Sequence, residues 1–225
     1  MKLRLLGRVC TCLAITCMMT SAAMADVTGD SGNDGGAIPD NSSAGAVSTV
    51  TITESEVITN AHFSIEGLSH SWIGDLIVEV THVQSGRSAT LVNRVGTTSS
   101  STSVGDSSDV NGTYTFSDGE PSIWTEAANG DTDFVVLPGK YAASGVNEAF
   151  VGLDSTFAGF STAGDWEFRI SDNNATQTGS YTQASVKFTT TAVPEPGTMA
   201  TIVLGTLFGG VYLRRRHKKG VTQEA

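Results

Sequence analysis

The chain has 225 residues, with 13 Lys and Arg against 23 Asp and Glu, a formal net charge of −10 at pH 7. Between Asp26 and Val193 the imbalance sharpens to five basic against 21 acidic side chains. Such a stretch is no partner for nucleic acid or an anionic lipid surface, which both need clustered Lys and Arg.

At the start of the chain Lys2, Arg4 and Arg8 precede a mostly apolar run from Val9 to Met19. Ala23-Met24-Ala25 then places small residues at the two positions a signal peptidase reads. Residues 1–25 are expected to be a secretory signal peptide cut after Ala25, the apolar run being shorter than the roughly 20 residues of a membrane span. All three cysteines (Cys10, Cys12, Cys17) lie inside it, and none stands at the cleavage point as a lipoprotein signal requires. The exported chain then has no thiol, so its fold must rest on its core or on bound ions. Residues 26–46 are rich in Gly, Asp, Asn and Ser without apolar periodicity and read as a flexible leader.

From residue 47 to 191 short β-rich runs recur between turn clusters. In "VITNAHFSI" Val57, Ala61, Phe63 and Ile65 share one face, and Asn60, His62 and Ser64 the other. In "DLIVEVTH" Leu76, Val78 and Val80 alternate with Ile77, Glu79 and Thr81. Trp166, Phe168 and Ile170 alternate with Glu167, Arg169 and Ser171, and Ala184, Val186 and Phe188 with Ser185 and Lys187. Period-two patterning of this kind predicts half-buried antiparallel strands, with no capped 3.6-residue stripe before the tail. The expectation is one all-β domain, a jelly-roll-like β-sandwich. "VGTTSSSTSVGDSSDVNG" (95–112) is polar and of low complexity, and reads as a long exposed loop.

Three stretches in order carry a family resemblance. "LSHSWIGDLIVEVTHVQSGRSATLVNRVG" (68–96) holds His70, Gly74-Asp75-Leu76, an alternating strand, Gly86 and Leu91. "YTFSDGEPSIW" (114–124) holds Phe116 and Asp118, and the stretch 157–188 holds Gly164, Trp166, Asp172 and Gly179. Together they resemble the P domain, or Homo B domain, that follows the catalytic domain of subtilisin-like proprotein convertases and many bacterial proteases. One departure is "THVQSG", where that family has Ser-Pro before the turn glycine. The resemblance implies a jelly-roll fold and an accessory, non-catalytic role. Physically these residues read as structural: Gly74 for a tight turn into a strand, Asp75 bonding backbone N–H groups there, Trp166 filling the core, and His70 as a satisfied turn or core histidine.

No catalytic constellation is legible. "GLSHSW" lacks the second Gly of a nucleophile elbow, and the four histidines show no metal spacing. The chain is expected not to be an enzyme. The one piece of inorganic chemistry to weigh is calcium, for which Asp75, Asp118, Asp165 and Asp172, with Asn173, offer hard oxygen ligands at strand ends.

The tail, residues 192–219, differs from everything before it. Residues 198–213 form an uncharged run, followed at once by Arg214, Arg215, Arg216, Lys218 and Lys219. It reads as a transmembrane helix whose cationic stop stays in the cytoplasm, leaving the β domain outside. Pro194-Glu195-Pro196 makes an extended junction just before it. The order Pro-Glu-Pro, apolar run, Arg-rich end resembles the PEP-CTERM sorting signal of Gram-negative bacteria that make exopolysaccharide. That resemblance implies recognition of the Pro-Glu-Pro motif by an exosortase, removal of the helix, and delivery to the cell surface or extracellular matrix. The reading as a whole is a structural or adhesive exported protein. Its rivals are an accessory domain assisting a subtilisin-like protease in trans, and a carbohydrate-binding module for exopolysaccharide using Trp72, Trp124 and Tyr141.

Overall fold

The computed structural model describes residues 24–98, 104–128 and 134–191, and within them the chain is an all-β sandwich. The first sheet has the strand order β1 (Met24–Asp30), β12 (Gln183–Thr191), β4 (Val57–His70), β11 (Gly179–Tyr181) and β2 (Gly36–Ile38). Against β4 also lies β7 (Asp109–Phe116), which pairs in parallel with β8 (Val135–Val136) and β9 (Gly139–Tyr141). The second sheet is β3 (Ser42–Ile52), β10 (Gly164–Asp172), β5 (Leu76–His82) and β6 (Arg87–Asn93), antiparallel throughout. Two single-turn helices, α1 (Ile123–Ala127) and α2 (Leu153–Phe157), cap the sandwich.

Alternation sets the core. Leu76, Val78 and Val80 of β5, Trp166, Phe168 and Ile170 of β10, and Ala184, Val186 and Phe188 of β12 are all buried, as the period-two reading expects. Phe63 stands at the centre, with Phe157, Trp166, Phe168 and Phe188 ringed around it at 5.4–6.0 Å between centroids. Each such ring buried from water contributes about 1.5–3 kcal/mol. The Trp166 indole N–H donates to the Thr162 carbonyl at 3.0 Å, so its burial leaves no donor unmet. This core does the work that a disulfide does in smaller exported domains.

In β4 the alternation breaks once. Val57 does not join Ala61, Phe63 and Ile65 inside; Ile58 does. The pairing of β4 with β12 slips between Thr189 and Thr190, skipping Thr59, and one extra residue reverses which side chains face inward. A second slip lies at Gly67, whose φ of +62° favours glycine.

Two loop assignments are corrected. Residues 26–46 are no flexible leader: they carry most of β1, all of β2 and the start of β3. Between those strands Ser31 N–H donates to the Ala184 carbonyl and Gly35 N–H to the Thr182 carbonyl, both at 2.9 Å. Ser48 then ties the segment to the core through the Asp34 carbonyl and the Tyr181 hydroxyl. Likewise 109–112 is strand, and Gly105 and Asp106 pack on Gly74 rather than projecting into water. In both cases the hydrogen bonds come from partners far along the chain, which satisfy backbone groups that small polar side chains cannot.

Candidate functional site

One end of the second sheet gathers most of the unusual chemistry. A single 3₁₀ turn, Ile73–Asp75, feeds β5. Gly74 is required because a Cβ would meet the Asp106 amide nitrogen at 2.5 Å and the Gly105 backbone at 2.7 Å. Asp75 departs from the sequence reading. Its carboxylate bonds no backbone N–H, and both oxygens are buried without a hydrogen-bond partner. Burial first, and then the charge of Asp172, push its pKa above the ordinary carboxylate value; Asn174, His70 and Arg94 act in the opposite direction.

Asp172 ends β10 opposite Leu76, so it arrives beside Asp75 across the β10–β5 ladder. It too is fully buried, but it is partnered. One oxygen accepts from the Asn174 N–H at 3.1 Å and the other meets His70 Nε2 at 3.2 Å. His70 Nδ1 accepts from the Trp72 N–H at 3.1 Å, so the ring proton sits on Nε2 and points at Asp172. That makes His70 a pinned core residue. Asn173 N–H donates to the Asp75 carbonyl at 2.9 Å and clamps the two loops together.

The other two aspartates expected in a calcium site go elsewhere. Asp165 is the second residue of β10, about 23 Å of extended strand from Asp172 at roughly 3.3 Å per residue. There it accepts from the Thr51 hydroxyl at 2.8 Å and the Gln84 amide at 3.4 Å. Asp118 accepts from the N–H groups of Leu153 and Asp154 at 2.8 and 3.2 Å, holding the first turn of α2. Among the described residues no group of three or more His, Cys, Asp or Glu could hold a metal ion. The four aspartates are therefore not one site, because an extended strand keeps its two ends apart.

The three aromatics weighed for sugar binding also separate. Tyr141 is buried, with its hydroxyl donating to the Leu137 carbonyl at 2.6 Å, so it presents no stacking face. Trp124 is half-buried and donates to the Ser144 hydroxyl at 3.1 Å. Trp72, also half-buried, donates to the Val104 carbonyl at 2.9 Å and lines a cleft of about 210 Å³ with Asn174, Thr176 and Gln177.

A serine–histidine contact went unseen in the sequence. In the β5–β6 hairpin Ser85 Oγ lies 2.9 Å from His82 Nδ1, while His82 Nε2 lies 3.1 Å from the Ala163 carbonyl. His82 is stacked on Trp166 at 4.4 Å between ring centroids and is buried. The Ser85 hydroxyl also accepts from the Arg87 N–H at 3.3 Å, so it closes the hairpin turn. The only sequence signal is the spacing His-x-x-Ser across a polar turn, which hairpins share widely.

The domain begins and ends at one place. Met24 pairs with Thr191 and Ala25 with Thr190, whose hydroxyl donates to the Ala25 carbonyl at 3.0 Å. The expected signal cleavage site after Ala25 therefore lies beside the last residue of β12, and the Pro-Glu-Pro motif follows three residues further on. Residues 192–216 match the PEP-CTERM protein-sorting motif. That signal belongs to exported proteins held by the C terminus at the cell envelope and processed by an exosortase. The Pro194-Glu195-Pro196 motif, the apolar run 198–213 and Arg214, Arg215 and Arg216 lie outside the described residues; among those that are described, no helix is long and apolar enough to cross a membrane.

The P domain is not among the matching family models, and no curated protein matches the chain. Two similar solved structures are a serine protease of Aeromonas sobria in complex with its chaperone ORF2, and the same protease alone. The first is 14% identical over 76% of this chain, with a TM-score of 0.45, and the second 13% over 75%, with 0.43. The chain spans between a quarter and a third of those proteins' length, 28% and 27%.

Proposed function

We propose that this chain is a non-catalytic surface or extracellular-matrix protein, in which one P-domain-like β-sandwich is exported and delivered by its C-terminal sorting signal for a structural or adhesive task. The observation that carries the reading is the sorting motif at 192–216, which starts directly after the last strand of the sandwich. Nothing separates cargo from signal, so processing near Glu195 would release the sandwich with only a few residues of stalk. Support for a non-enzymatic role comes from His70 and His82. Each is buried and has its ring nitrogens committed to structural partners.

Intact mass of the mature protein from the native cell envelope tests delivery. A chain ending near Glu195 supports processing, and one retaining Arg214 to Lys219 reduces the tail to a plain anchor. Measurable peptidase activity of the purified protein would overturn the non-catalytic part. Co-purification with a subtilisin-like protease would favour the accessory role in trans, and retention on the producer's own polysaccharide a carbohydrate-binding one.

A further inference from the structure

We propose that Asp75 and Asp172, with the side-chain oxygen of Asn174, form a binding site for one calcium ion at the end of the sandwich where β10 stops and β5 starts. Two carboxylates are held there side by side with no exposure to solvent. One of them, Asp75, has both oxygens free of any hydrogen bond. A buried carboxylate without a partner is among the most costly arrangements a fold can carry, and a second carboxylate beside it adds repulsion. Two of the donors nearby are engaged with other atoms. His70 gives its Nε2 proton to Asp172, and Arg94 Nε donates to the Gly74 carbonyl at 3.2 Å. The Asn174 side chain lies near enough to Asp75 to favour its ionised form, so its amide can turn its oxygen toward a cation bound there.

The donor set selects the ion. All the available ligands are oxygens, and the one nearby imidazole has both nitrogens occupied, so a hard cation is favoured over zinc. The oxygens come from a 3₁₀ turn, a strand end and the loop after it rather than a rigid octahedral cage, which suits calcium better than magnesium. With only two carboxylates the shell must be completed by carbonyls and water, so the site belongs with extracellular modules of about 10⁻⁴–10⁻³ M affinity. Access runs through the half-exposed loop after Asp172, where Asn174 also lines the Trp72 cleft. The two other aspartates weighed for calcium, Asp118 and Asp165, take no part.

The test uses the mature protein from the envelope after chelator treatment. Terbium luminescence excited through tryptophan, with Trp72 close by, should appear saturably and be displaced by calcium but far less by magnesium. Thermal melts should rise by several degrees on adding about 10 mM calcium, roughly tenfold over the weak end of the expected affinity range. Asp75→Asn should melt higher than wild type without metal, because the orphaned charge is gone, and should lose the calcium response. Asn174→Ala, on the more exposed loop, should keep the fold and weaken calcium binding several-fold, while Asp118→Asn should retain wild-type affinity. Identical melts of stripped and calcium-loaded wild type, with no calcium-displaceable terbium signal, would overturn the proposal. So would an undiminished calcium response in Asp75→Asn. A wild type stabilised only by acid and indifferent to calcium would mean that a proton, not a metal, holds the pair.

Discussion

Strand β10 carries an aspartate near its start and another at its end, and the two have opposite surroundings. Asp165 is half-buried and bonded by the polar side chains of Thr51 and Gln84. Asp172, seven residues on, is sealed inside beside a second carboxylate whose oxygens accept no hydrogen bond. Residue type and strand are the same, so the difference lies in what each end packs against. The start of β10 meets the rim of a hairpin; its end meets the turn that feeds β5 and the interior ring of His70. Between the ends runs the alternation of Trp166, Phe168 and Ile170, which belongs to the core.

Substitutions can break this contrast, the most damaging lying between the two ends. Trp166→Ala should cost about 3–5 kcal/mol in denaturant melts, because it removes the largest ring packed around Phe63; a loss under about 1 kcal/mol would mean that this cluster does not hold the two ends of β10 in place. Next comes Tyr114, a buried polar group that, unlike Asp75, is fully partnered. Its hydroxyl donates to the Val136 carbonyl at 2.6 Å and accepts from the Asn111 N–H at 3.0 Å. Burial raises its pKa from 10.0 to about 12. The folded phenol therefore keeps its proton where the unfolded one loses it. Stability should be full below about pH 10 and decline by roughly 2–3 kcal/mol as the pH climbs toward 12. A phenolate absorbance titration that tracks unfolding checks this, and ionisation of Tyr114 in the native state near pH 10 would contradict it.

A smaller effect belongs to Asp118, whose carboxylate holds two N–H groups at the start of α2. Asp118→Ala should cost about 1–2 kcal/mol, while Asp118→Asn should cost less. Asp165→Asn should change stability by no more than about 0.5 kcal/mol, since its partners are near solvent. A large loss at Asp165 would erase the distinction between the two ends of β10.

Much of the fold is legible in the residues themselves, and the parts that are not share a cause. The buried residues of β5, β10 and β12 follow from alternation, since period two puts every second side chain on one face. Val57 falls on the wrong face in that pattern because a bulge is invisible until the partner strand is known: β4 alone does not say that Thr59 will be skipped against β12. Residues 26–46 read as flexible because Gly, Ser and Asp lack apolar side chains. Their order comes from pairing with strands more than a hundred residues away, such as Asp26 with Thr189 and Ala46 with Ile170. Lys187, 2.8 Å from the Asp26 carboxylate, shows the same dependence on distant partners.

The candidate site divides in the same way. The strand pattern and the sorting motif are local strings, so the amino-acid sequence alone determined them. Which aspartates meet is a matter of register. The β10–β5 ladder set Asp172 beside Asp75, strand length carried Asp165 away, and α2 claimed Asp118. Only tertiary structure could decide this, because the cost of a buried charge depends on which neighbours it keeps once water has been removed.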